Sequence, residues 1–156
     1  MLDKLRKQVA VEFEQLSKLI DVHRPLIDKC ENASPTDIEI SALAAMLHSF
    51  YTGIENIFKR VCVEIGGTLP AGASWHRDLL DSISEPNGFR TAVISRDLCR
   101  RLEEYLKFRH FFRQAYSFQF EWEKLSSLVL GCASTLNTLE EEVRAFLERG
   151  EEDPKS

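Results

Sequence analysis

An all-α fold is predicted for this chain: an antiparallel four-helix up-down bundle with one extra short helix, assembled as a dimer. Three observations predict it. Apolar residues recur at three- and four-residue steps through windows of about thirty residues, the mark of helices with one buried stripe. Only 7 Gly and 5 Pro occur among 156 residues, too little turn chemistry for a many-stranded sheet. The breaks that exist, at Ser34-Pro35, Gly66-Gly67 and Pro86-Asn87-Gly88, fall between these windows.

The first helix is expected over residues 2 to about 31, through Leu2, Leu5, Val9, Phe13, Leu16, Ile20 and Ile27, with Pro25 set to kink it or end it early. Ser34 as N-cap, Pro35 at the first helical position and Asp37 just inside predict a second start. That helix runs to Ile65 through Ile38, Leu43, Met46, Leu47, Phe50, Ile54, Ile57, Phe58 and Val61, and Gly66-Gly67 ends it. Gly53 in its interior costs up to about 1 kcal/mol relative to Ala, which points to a close helix-helix approach. Residues 66–74 read as a loop, and Ser74 caps a short helix, WHRDLLDSISE, where His76 reads as a surface or capping residue. The stretch FRTAVISRD reads as an extended link or loop. A central helix from Ser95 to about Ser117 and a last one over 119–149 follow, with Gly150 as the stop. Residues 1–150 thus form a single helical domain and 151–156 a solvated tail.

Composition excludes several classes. With 44% hydrophobic and 29% charged residues the chain is that of an ordinary globular protein. No apolar run approaches the roughly 18 residues of a membrane span. The start, MLDKLRKQVAVEFEQL, lacks the apolar stretch and cleavage site of a signal peptide, so a cytoplasmic protein is expected. Cys30, Cys62, Cys99 and Cys132 are widely spaced among apolar neighbours and read as reduced core residues. The four histidines lack metal-ligand spacing, and no nucleotide or hydrolase motif is present, so neither metal nor cofactor is expected.

The net charge of −5 hides an asymmetry. Residues 90–113 hold seven basic and three acidic side chains, a net +4, leaving −9 for the rest. Within that segment lies RHFFRQAY, Arg109 to Tyr116. On a helical wheel Arg109, Arg113 and Tyr116 fall within about 60°, and Tyr105 continues the stripe one turn earlier. Two guanidinium groups beside two phenols suit an anionic ligand such as phosphate. The same arginines could instead pair with acidic neighbours on adjacent helices. Glu55 has two readings as well: a surface residue pairing with Lys59, or a carboxylate facing across a helix pair to hold an arginine. The central helix is aromatic on more than one side, which predicts burial on more than one side and hence a homodimer.

RHFFRQAY, preceded by RLEEYLKF and followed by SFQFEWEKL, resembles the signature of the HEPN superfamily and more narrowly the HepT-like ribonuclease toxins of bacterial toxin-antitoxin pairs. Their motif is Arg, four residues, His, one residue, Tyr. LHSFYTGIENIFKR and SWHRDLLDSI are similar to helices of the same proteins, so the resemblance covers roughly residues 5 to 145. It implies a dimer with metal-independent RNA-cleaving sites at the interface. It also implies a minimal nucleotidyltransferase antitoxin that can adenylylate the motif tyrosine, here Tyr116. Arg109 matches the motif arginine, and the histidine position holds Gln114. An amide cannot transfer a proton usefully, a loss worth about 10²- to 10⁴-fold in rate. The resemblance therefore implies an endoribonuclease by ancestry, using Arg109, Gln114 and Tyr116 with His110 as a substitute imidazole, whose turnover is weakened or lost. Arg113, Tyr105 and Glu55 would contribute to RNA binding. The alternative is a non-catalytic dimeric module that engages the nucleotidyltransferase or RNA without cutting. A third reading is a purely structural bundle with both arginines buried against carboxylates such as Glu55 or Glu121.

Overall fold

The computed structural model describes residues 2–65 and 69–149. Four long helices, α1 (Leu2–Lys29), α2 (Asp37–Glu64), α4 (Arg96–Gln114) and α5 (Trp122–Arg149), pack as an antiparallel up-down bundle. The short α3 (Trp75–Ile83) wedges between α2 and α4. Cross-links between elements show the alternation. Lys29 reaches Glu39, Arg60 reaches Glu12 and Lys4 reaches Glu64, so α1 and α2 run in opposite directions. The Ser95 backbone N–H and hydroxyl both donate to Glu142, and the Tyr105 hydroxyl donates to the Leu128 carbonyl, which sets α4 antiparallel to α5. Among the described residues there is no strand, only an isolated bridge between Asn87 and Arg90.

The predicted stripes form the core, and all four cysteines lie in it, free and buried. Ile38 is an exception: it sits in the first turn of α2 and is exposed. Gly53 is where α2 meets α1 most closely. A Cβ there would lie 2.6 Å from Leu16 Cδ2, so the glycine allows the approach.

Several boundaries differ from expectation. Helix α1 runs through Pro25; the carbonyl that Pro25 cannot bond belongs to Asp21, and both residues are exposed, so water can serve it. Helix α2 starts at Asp37 rather than Pro35. Thr36 is the N-cap, and its hydroxyl and the Glu39 carboxylate close a capping box. Ser74 occupies the N-cap position of α3, but its hydroxyl donates to Asp78 instead of accepting from backbone. Of FRTAVISRD, residues 89–94 are an irregular link anchored by buried Val93 and Ile94, Ser95 is the N-cap of α4, and Arg96 and Asp97 open that helix.

Helix α4 stops at Gln114, three residues short of the expected Ser117. Ala115 turns extended, Ser117–Gln119 make one 3₁₀ turn, and Phe120 folds back against Phe108, Phe111 and Phe112. Burying Phe120 is worth about 2 kcal/mol, enough to outweigh one more helical turn. The expected stops at Gly66-Gly67 and Gly150 and the tail at 151–156 lie outside the described residues.

Gly53→Val is expected to lower stability by about 1–3 kcal/mol through overpacking against Leu16. Gly53→Ala should lose less, because Ala regains up to about 1 kcal/mol of helix propensity. Urea unfolding midpoints of the two variants check the order.

Candidate functional site

Three elements bring polar groups together where α3 meets α2 and α4. Glu55 lies on the α2 stripe with Tyr51, Ile54 and Phe58, and is 2% exposed. Its Oε2 accepts from His76 Nδ1 at 2.6 Å. Its Oε1 is 3.6 Å from Arg109 Nε. The Arg109 NH1 group lies 3.4 Å from His76 Nε2. The partners assign the tautomer: a carboxylate calls for the proton on Nδ1, and a guanidinium beside Nε2 calls for a lone pair there. One buried carboxylate thus holds an imidazole from α3 and a guanidinium from α4. Arg109 Nε is buried and makes no hydrogen bond, since its contact with Glu55 is an ion pair at longer range.

Trp75 lies over the His76 ring with centroids 3.6 Å apart, and Lys59 Nζ sits 4.4 Å from the Trp75 ring centre. Lys59 therefore serves the tryptophan, and Glu55 turns inward to His76 and Arg109. His76 is a member of this cluster, not the surface or capping residue its place at a helix start suggested.

A groove of about 420 Å³ opens beside the cluster. His76, Arg109, His110, Arg113 and Gln114 line it, with Gly72 and Ala73 at its rim. Gly72 takes φ 97°, a conformation that favours glycine, as the loop turns into α3. A second hollow of about 380 Å³ shares His76, Arg109 and His110 and adds Arg77 and Lys107. Arg109 and Gln114 share one groove wall although a wheel places them about 140° apart, because the groove wraps around the last turns of α4. Among the described residues no hydrogen bond or ion pair engages Arg113, which is exposed to the groove. The purely structural reading fails at this point: Arg109 is half-buried against Glu55, yet among the described residues Arg113 is unpaired and the pocket is open.

Two predicted members lie elsewhere. Tyr105 is a core residue: it packs on Phe50 and donates to the Leu128 carbonyl, and burial pushes its phenol up to about 12. Its stripe faces α5 at that level, not the groove. Tyr116 follows the end of α4, is 71% exposed, and stacks on Phe118 at 5.6 Å without lining the groove. Beneath the cluster, burial and then the Glu55 charge hold the Tyr51 phenol well above its ordinary range, and its hydroxyl has no partner. Asp81, Cys99 and Glu103 come within 4.8 Å of one another and could ligate a metal ion, although Arg77 already pairs with Glu103 at 3.3 Å. Among the described residues no helix is long and apolar enough to cross a membrane.

An all-α bundle with a cationic groove at the meeting of three helices is the class of protein this fold and site define. The chain belongs to the HepT-like family, within the HEPN superfamily: the model of that family, described as HepT-like protein, matches residues 42–149. The matched region contains every groove residue named above. No curated protein and no solved structure matches the chain.

His48 stacks on Phe112 behind the groove, with centroids 4.6 Å apart. Burial, then the charges of Arg109 and Arg113, hold its imidazole below the ordinary 6.5, against a smaller opposing pull from Glu55. The unfolded chain takes up this proton as pH falls through 6.5 while the folded protein resists it, so stability present above 6.5 is lost below it. His48→Gln should make the fall of melting temperature between about pH 7 and about pH 5 shallower than in the wild type.

Proposed function

We propose that this protein is the HepT-like member of a toxin-antitoxin pair that binds RNA in the groove between α3 and α4. By ancestry it is a metal-independent endoribonuclease, and Gln114 in place of the motif histidine has slowed its turnover. The observation that carries this reading is the pairing of an anchored and a free guanidinium on one wall. Arg109 is positioned by Glu55, and Arg113 faces the groove with no carboxylate partner among the described residues. Two such groups can hold the non-bridging oxygens of one phosphodiester. The net charge of −5 on the whole chain limits non-specific binding, so the site is local.

Exposed Phe111 and Phe118 supply apolar area for a homodimer whose interface runs beside the groove. Exposed Tyr116 suits adenylylation by a nucleotidyltransferase antitoxin, since added phosphates three residues from Arg113 would repel RNA and occupy the arginines. That exposure, together with Gln114, also favours a second reading: a non-catalytic dimeric module that engages the nucleotidyltransferase. Both readings place the protein in the cytoplasm.

Arg113→Ala is expected to weaken binding of single-stranded RNA and to reduce the slope of log Kd against log salt by about 0.7, the loss of one phosphate contact. Gln114→His should raise cleavage of cellular RNA, by up to about 10²- to 10⁴-fold. If neither substitution changes RNA binding or cleavage, the groove is not the RNA site. A stable nucleotidyltransferase complex whose freed subunit neither binds nor cuts RNA favours the second reading.

A further inference from the structure

We infer that the Glu55–His76 pair is the proton-transfer centre of the groove, supplying from α3 the imidazole that Gln114 does not supply from α4. This rests on the reading of the groove as an RNA site. Of the four histidines, His76 alone has a carboxylate to orient it among the described residues. His23 bonds the Leu19 carbonyl on α1, His48 stacks behind the groove on Phe112, and His110 is exposed without a partner among the described residues.

The geometry suits a general base. Nδ1 is tied to a carboxylate that is 2% exposed, which fixes the ring and stabilises the imidazolium that forms on proton uptake. Nε2 keeps its lone pair beside Arg109, the residue that would hold the phosphate. The 3.4 Å contact between NH1 and Nε2 is long for a hydrogen bond, and a phosphate oxygen is the better acceptor. Arg109 can therefore turn to the anion and leave Nε2 free.

The step balances without metal or oxidant. The ribose 2′-oxygen bonds to phosphorus as its proton passes to His76 Nε2. The bond from phosphorus to the 5′-oxygen breaks, and that oxygen takes its electron pair and a proton from the His110 imidazolium. Arg109 and Arg113 hold the charge on the non-bridging oxygens. The products are a 2′,3′-cyclic phosphate and a 5′-hydroxyl, and solvent restores both imidazoles. Glu55 is a positioning residue in this scheme. The charged and titratable groups around His76 are Glu55 from α2, with Lys59 on the far side of Trp75, Arg77 from α3, and Lys107, Arg109, His110 and Arg113 from α4.

The experiment uses the full chain with end-labelled single-stranded RNA, measuring Kd, kcat and product ends. Wild type should leave 2′,3′-cyclic ends. His76→Gln, which keeps a donor for Glu55, should lower kcat about 10²- to 10⁴-fold with Kd changed by less than roughly threefold. Should His76→Gln prove unfolded by circular dichroism, His76→Asn decides the matter: its amide can meet Glu55 where Nδ1 does and offers nothing at Nε2, so kcat should fall by the same factor with Kd held. Wild-type kcat in a folded His76→Gln or His76→Asn, or products carrying a 5′-phosphate, would each overturn the inference. So would RNA that binds the wild type but is never cut, while leaving the groove as an RNA site. RNA that does not bind at all removes the site reading itself.

Discussion

Glu55 is the residue on which the arrangement around the groove depends. An ionised carboxylate buried on the inner stripe of α2 costs several kcal/mol unless partners replace its water. The two partners come from different helices, 21 and 54 positions along the chain: His76 at 2.6 Å and Arg109 at 3.6 Å. Helix α3 must therefore dock where it can present His76, and its Leu79, Leu80 and Ile83, all buried, secure that placement. Helix α4 must present Arg109 at the same depth. The apolar contacts favour packing in general, and the shared carboxylate selects the register of α3 and α4 in which the groove exists.

The end of α4 sets the rest of the site. Because Phe120 folds back on Phe108, Phe111 and Phe112, the helix closes at Gln114, and Arg113 and Gln114 lie in its last turn. A helix C-terminus carries about half a negative charge, which by itself repels anions. Arg113 at that end stabilises the helix and reverses the local sign, and Arg109 and Lys107 lie one and two turns back. Glu55 offsets Arg109, and Lys107 pairs with Glu104 outside this groove, so the full charge of Arg113 is what outweighs the half charge of the helix end and leaves the groove cationic.

The fold was legible because its signals are periodic. The stripes of α1, α2 and α5 and the close approach at Gly53 follow from spacing alone. The boundaries were less legible, since Phe120's return to the aromatic cluster is tertiary and Thr36 with Glu39 competed with an equally good start at Ser34. The cluster itself had a signal that reading residues by type passes over. His76, Leu79, Leu80 and Ile83 stand at i, i+3, i+4 and i+7, so the imidazole faces inward with the leucines. Tyr51, Ile54, Glu55 and Phe58 repeat the spacing on α2, and Leu102, Tyr105, Leu106 and Arg109 on α4. An acid, an imidazole and a guanidinium, each at the polar position of a buried stripe, need one another. Tyr105 belongs to the same stripe one turn deeper, which is why it is core.

The resemblance sets the motif's arginine, histidine and tyrosine positions at Arg109, Gln114 and Tyr116, the first two on α4 and the third on the turn beyond it. Arg109 is fixed by Glu55, Gln114 lies on the groove wall, and Tyr116 stands outside on the turn beyond the helix. An imidazole at position 114 would be exposed, with nothing among the described residues to fix its tautomer. His76 differs in this respect: its proton position is set by a buried carboxylate and its free nitrogen by a guanidinium. Chemistry at a phosphate needs an oriented lone pair more than it needs a particular place in the sequence. Gln114 puts an amide at this place on α4, and the imidazole held at both nitrogens comes from α3.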